Sequence, residues 1–164
     1  MNKKHGWLTS LVAVLLLVVS CTSERHQQQD LINDRFPEAQ AELREVVESI
    51  AKDIMTGKIE SLQAIHLDSD KFTKFGPRSF DRQDLASTNE SEAAFFSSVS
   101  GMSHEVKKLK IDVFGDIAVA TYLLPARFLR ERRGEQKASG RQTFVFLKTA
   151  NGWKIVHEHG TTKK

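Results

Sequence analysis

The residues best suited to chemistry lie near the C-terminus. His157 and His159 are two apart, so on a β-strand both imidazoles project from one face. That face also carries Trp153 and Ile155 and lies opposite Lys154, Val156 and Glu158. An imidazole can donate a hydrogen bond or exchange a proton near neutral pH. Arg141 and Thr143 share a face of the preceding strand, and Tyr122 shares one with Ala118 and Ala120 further upstream. A guanidinium grips a carboxylate through two parallel hydrogen bonds. The His-x-His pair would also serve as two metal ligands, but a site needs more. His66, His104 and Asp112 are candidates that the sequence cannot place, so neither a metal nor a cofactor is expected. Acid–base catalysis would need a pocket carboxylate with a displaced pKa. Asp68, Asp70 and Asp112 are the ones to test, but each reads more simply as a solvated turn or strand-surface residue. No catalytic residue is assigned.

Short elements must position these side chains. Pro37 suits a first helical turn, with Glu38 and Glu42 near the positive end of the helix dipole. Leu43, Val46, Val47, Ile50 and Ile54 recur at three- and four-residue spacing, the stripe of an amphipathic helix that Gly57 would stop. Ile59, Leu62 and Ile65 suggest a second helix up to about His66. A third is expected over Glu90 to Val99, capped by Asn89 or Ser91. After Gly101 the pattern turns to β. Strands are expected over Val106 to Phe114, Ile117 to Phe128, Gln142 to Lys148 and Trp153 to His159. Gly115-Asp116 and Asn151-Gly152 make the turns, and the charged stretch Arg130 to Gly140 makes a hairpin end. Helices followed by consecutive strands predict an α+β domain with an antiparallel sheet.

The 164 residues leave room for one domain, and the single cysteine excludes an internal disulfide. Formal charge is +3, but Lys3 and Lys4 belong to a leader; beyond it 22 basic side chains face 21 acidic ones. Net charge therefore gives no support for a nucleic-acid partner. Arg127, Arg130, Arg132, Arg133 and Lys137 make the hairpin basic, although Glu131 and Glu135 interrupt the run. A solvated tip and contact with anionic lipid or an acidic partner are both consistent with it.

The N-terminus reads as an export signal. Lys3, Lys4 and His5 precede an apolar run from Leu11 to Val19, which has the length of a signal-peptide core and is short for a membrane span. Val18-Val19-Ser20-Cys21 resembles the lipobox of bacterial lipoproteins. That resemblance implies a thioether-linked lipid on Cys21, cleavage before it, and a membrane anchor. Thr22 follows, with no Asp there. The resemblance then implies the outer membrane, facing the periplasm, if the host has two membranes. The expected organisation is a signal peptide over 1–20, a polar flexible tether over 21–36, a domain over 37–161 and a tail over 162–164.

Gly140-Arg141-Gln142-Thr143, then Asn151-Gly152-Trp153-Lys154-Ile155-Val156-His157-Glu158-His159-Gly160-Thr161, resembles the SnoaL-like branch of the nuclear transport factor 2-like superfamily. Its pattern is Arg-x-Thr, a strand, Gly-Trp-x-Ile-x-His-x-His, then a small hydroxyl residue. Thr143, Trp153, Val156, His157 and His159 are similar to the calcium/calmodulin-dependent protein kinase II association domain. Gly115-Asp116-Ile117-Ala118 resembles the opening of this family's long middle strand. Gly160-Thr161 departs conservatively, since the pattern more often has a residue followed by Ser.

The resemblance implies a cone-shaped, strongly curved antiparallel sheet packed on about three N-terminal helices, with a pocket inside and a homodimer outside. Tyr122, Arg141, Thr143, His157 and His159 would line the pocket and hold a small anionic or carbonyl-bearing ligand. The alternative is that Arg141, Thr143 and the histidines hydrogen-bond one another and close the cone. Members of this fold include enzymes, binders and assembly modules, so fold does not choose among them. Ligand binding or assembly at the cell envelope leads. A small isomerase, dehydratase or cyclase, and a filled structural module, are the other readings.

Overall fold

A computed structural model of the chain describes residues 30–77 and 79–163. The expected leader, Cys21 and the first part of the expected tether lie outside the described residues. Residues 30–34, expected as flexible tether, form a turn closed by the Asp34 amide donating to the Asp30 carbonyl at 2.9 Å.

Helix α1 spans Pro37–Thr56 and helix α2 Ile59–Ile65. Pro37 opens α1 where a missing amide costs nothing, and Gly57 closes it at φ +68°. The stripe buries Leu43, Val47 and Ile50, with Val46 and Ile54 packed partly against the same core. Each fully buried aliphatic contributes about 1.5–3 kcal/mol. Ser61 donates to the buried Asp53 at 2.6 Å and fixes α2 against α1.

Helix α3 covers Leu85–Ser97, so it begins five residues before the expected Glu90. The cap is Asp84, not Asn89 or Ser91. Its side chain accepts from the Ser87 amide at 2.9 Å while the Ser87 hydroxyl accepts from the Asp84 amide at 3.0 Å. This is a capping box closed by Ser where Glu or Gln is usual, which hid it from the pattern.

Six strands follow or interleave: β1 Thr73–Phe75, β2 Val99–His104, β3 Lys107–Phe114, β4 Ile117–Arg130, β5 Gly134–Thr149 and β6 Gly152–Lys163. They form one curved, open sheet in the order β1-β6-β5-β4-β2, with β3 also on β4. The α+β class is as expected. The sequence pattern missed β1 and β2, which are short and lack clean alternation. It also began β5 too late, at Gln142 where the strand starts at Gly134, because charged residues there continue the ladder: Lys137 pairs with Arg127 and Glu135 with Leu129.

The core lies between the helices and the inner sheet face, from Ala118 and Ala120 through Phe144 and Phe146 to Trp153 and Ile155. Trp153 donates its indole N–H to Glu42 at 2.9 Å, which ties β6 to α1. Among the described residues no helix is long and apolar enough to cross a membrane.

Candidate functional site

One irregularity in β6 decides what faces the interior. Val145 pairs with His157, but the next residue, Phe146, pairs with Ile155, so Val156 is an extra residue in a β-bulge. A one-residue insertion exchanges the two faces for everything that follows. Trp153 and Ile155 point inward as expected; beyond the bulge Glu158 and Gly160 point inward, and His157 and His159 do not. His157 instead meets the Thr73 hydroxyl at 2.8 Å, and both histidines lie edge-on to Phe75.

Cross-strand pairing extends the two sets. Gln142 pairs with Tyr122 and Gly160, and Phe144 with Ala120 and Glu158, so all six share the inner face. Thr143 pairs with His159 on the outer face, which Arg141 also shares. Parallel pairing of β1 with β6 sets Lys74 beside Glu158. Of the residues expected to line a pocket, the structure brings Tyr122 inside. Arg141 is exposed and borders the mouth, His159 reaches only a shallow outer groove, and Thr143 and His157 line neither. The reason is the bulge, and the opposite phase of Gln142 and Phe144 on β5.

Enclosed by α3 and the inner face is a cavity of about 600 Å³. Leu124, Ala126, Phe128, Phe144, Phe95 and Met102 make its wall largely apolar. Its floor is charged. The Lys74 ammonium donates to Glu92 at 2.7 Å and to Glu158 at 3.0 Å. Gln142 donates to Glu158 at 3.0 Å, and His66 Nε2 lies 3.4 Å from its other oxygen. A Cβ at Gly160 would stand 2.9 Å from the Gln142 carboxamide oxygen, so glycine there leaves Gln142 free to reach Glu158.

Burial alone would raise the Glu158 carboxyl, but Lys74 and His66 outweigh it and hold it down to about 2. Lys74 is pushed up: burial opposes its charge, and Glu158 and Glu92 more than restore it. Burial, with the Glu158 charge adding, pushes the Tyr122 phenol far up, so it remains a neutral hydrogen-bond donor. Among the described residues Glu92 Oε2 has no hydrogen-bond partner and is shielded from solvent, and the same holds for His66 Nδ1.

His66, Glu92 and Glu158 place one potential metal-ligating atom each within 4.8 Å of the others. The cation between the carboxylates, however, is Lys74, and a divalent ion would have to displace it. The His157–His159 pair, considered above as two metal ligands, is not part of that group. His104 hydrogen-bonds the Ala51 carbonyl at 2.8 Å, and Asp112 pairs with Lys110 on the surface. Sequence reasoning passed over Lys74, Glu92 and Glu158. Only their fold-level meeting distinguishes them from solvated charges, and no local spacing announces it.

A family model described as the SnoaL-like domain matches residues 43–161. Among curated proteins no sequence matches the chain. Among solved structures, a candidate dehydratase of the nuclear transport factor 2-like family from Streptomyces avermitilis is similar at 14% identity and TM-score 0.70, covering 77% of this chain and 97% of that one. A nuclear transport factor 2-like superfamily protein from Salmonella enterica serovar Typhimurium has 21% identity and TM-score 0.69, over 77% and 92%. A candidate calcium/calmodulin-dependent protein kinase II association domain from Xanthomonas campestris has 13% identity and TM-score 0.64, over 74% and 86%. At these identities the structures speak for fold alone, while the family model spans most of the chain. The chain belongs to the SnoaL-like domain family.

Proposed function

We propose that this chain is a lipid-anchored envelope protein whose SnoaL-like domain binds a small, largely apolar molecule carrying a neutral hydrogen-bond donor. The observation that carries this is the character of the cavity floor. Two carboxylates share one lysine there, and Glu92 keeps an oxygen without a hydrogen-bond partner among the described residues. A hydroxyl-type donor fits that oxygen and an anion is repelled by it. The apolar wall supplies affinity by removing hydrocarbon from water, in a volume usual for small-molecule sites. The lipid anchor rests on Val18-Val19-Ser20-Cys21 and the apolar run before it. The expected homodimer fits the outer sheet face, where Phe75, Leu123 and Leu129 stand exposed.

Acid–base chemistry of the kind the Streptomyces relative's name suggests fits less well. A catalyst of proton transfer works best with a pKa near the working pH, whereas Glu158 is held near 2 and Lys74 is held high. A purely structural role would be served by a filled cone, and the cavity is open.

Native mass spectrometry of the full chain, purified gently from its own host, tests binding. A reproducible small-molecule adduct of mainly hydrocarbon composition supports the proposal. A clean protein mass over repeated preparations, with no gain in melting temperature from any hydroxylated amphiphile, contradicts it.

A further inference from the structure

The two ends of the cavity differ in charge. Inward alternation along β4 runs Tyr122, Leu124, Ala126, Phe128, Arg130, so the strand that starts at the acidic floor ends with a guanidinium at the mouth. Eight residues separate Tyr122 from Arg130, about 26 Å of strand at ~3.3 Å each, and less across the curve.

Arg130 is built into the mouth rather than waving from it. Its guanidinium lies 5.8 Å from the centre of the Phe128 ring. Its Nε is shut off from solvent and has no hydrogen-bond partner among the described residues. Across the hairpin it pairs with Gly134, which brings no side chain. Neighbouring carboxylates leave it alone: Glu135 faces Arg127 at 3.8 Å, and Glu131 makes no ion pair among the described residues. Lys137 and Arg141 border the same mouth, also without a carboxylate partner among the described residues. From Arg127 to Arg141 six basic side chains stand against two acidic ones, although the chain beyond the leader is almost neutral. A shielded guanidinium N–H without an acceptor costs stability, and an anion beside it removes that cost.

We propose that Arg130 is the anion subsite of this cavity, with Lys137 and Arg141 adding field, and that the ligand is an elongated monocarboxylic amphiphile. Its carboxylate sits at the mouth and its donor group at the floor. A planar carboxylate matches the guanidinium fork. The reverse orientation sets the carboxylate against Glu92 and Glu158, so the two ends fix the ligand's direction. This inference rests on the binding reading above and adds the acid.

Equilibrium titration of the full chain with 16-hydroxyhexadecanoate and with 1-hexadecanol tests it, because the two probes share chain and hydroxyl, differ by the carboxylate, and carry a chain long enough to reach from floor to mouth. The hydroxy acid binds at least about tenfold more tightly, the scale of one hydrogen bond to a charged group. Arg130→Gln abolishes that preference, bringing the hydroxy acid to the affinity of the alcohol. Arg130→Lys, which keeps the charge, retains part of the preference, and Arg132→Gln at the exposed tip retains all of it. If the alcohol binds and the hydroxy acid binds no better, or if Arg130→Gln keeps the preference, the anion subsite is overturned and the binding reading stands. Loss of the preference in Arg132→Gln as well would make the effect one of overall tip charge, and would also overturn it. If neither probe binds, both readings fall.

Discussion

Lys74 and Glu158 stand directly opposite each other in the parallel pairing of β1 with β6, and their charged groups meet at 3.0 Å inside the sheet's concave face. A three-residue strand is thereby held to the sheet by a buried ion pair as well as by its ladder. The bulge at Val156 makes the meeting possible, since without it Glu158 would face solvent and His157 would take its place.

Breaking this pair should be costly. Lys74→Met leaves Glu158 and Glu92 buried without their cation, and such losses run to about 3–5 kcal/mol. Urea unfolding should show that drop with an unchanged m-value. Glu158→Gln should cost less, because Glu92 still pairs with Lys74 and the amide remains able to hydrogen-bond Gln142 and His66. Equal and small effects from both would mean that water reaches the floor freely.

Acid should destabilise the domain in two stages. His104 has its pKa lowered by burial, partly offset by its bond to the Ala51 carbonyl, so it stays neutral in the fold when the unfolded chain is already charged. Stability therefore begins to fall as pH drops below about 6.5. Glu158 is lowered from 4.5 to about 2, so its contribution is complete above 4.5 and is lost as pH falls toward 2. That shift corresponds to on the order of 3 kcal/mol. Lys74 is raised above 10.5, so its share is intact throughout this range and is lost only on the alkaline side. Melting temperature against pH should show a shallow decline, then a steep one. His104→Gln should remove the first stage and spare the second; a flat profile from pH 7 to 3 would contradict both assignments.

The sequence carried most of the architecture because most of it is local. The α1 stripe from Leu43 to Ile54, the Gly115-Asp116 turn and the Asn151-Gly152 turn are each written within a few residues. The site is not local. Strict alternation assigns His157 and His159 inward, and only pairing with β5 reveals the extra residue at Val156. Lys74 sits in a strand too short to show a period. Glu92 lies on a helix whose start was hidden because Ser87, rather than an acid, completes the cap of Asp84. Tyr122 was legible because β4 runs regularly from Ala118 past it.

Filling the wall should silence the cavity without harming the fold. Ala126 and Ala138 pair across β4 and β5 on the inner face and leave room that larger side chains would occupy. We expect Ala126→Phe to weaken ligand binding at least about tenfold while changing stability by no more than ~1 kcal/mol, since it grows into open space rather than packed core. Calorimetry with 1-hexadecanol, alongside urea unfolding, reads both. Retained affinity would place the ligand elsewhere.

The anchor has its own test. Cys21→Ser removes the thiol that would carry the lipid. Metabolic labelling with a fatty-acid probe should mark the parent chain and not the variant, and the variant should leave the membrane fraction. A variant that stays with membranes and still takes the label would refute lipidation at Cys21.

The most direct measurement is a crystal structure of the full chain purified from its host without added ligand. Continuous non-protein density is expected along Leu124, Ala126 and Phe128, with a polar end within hydrogen-bonding distance of Glu92. Collapse of Phe95, Phe128 and Phe144 into a filled interior, with the floor charges sealed, would contradict it and leave a structural module.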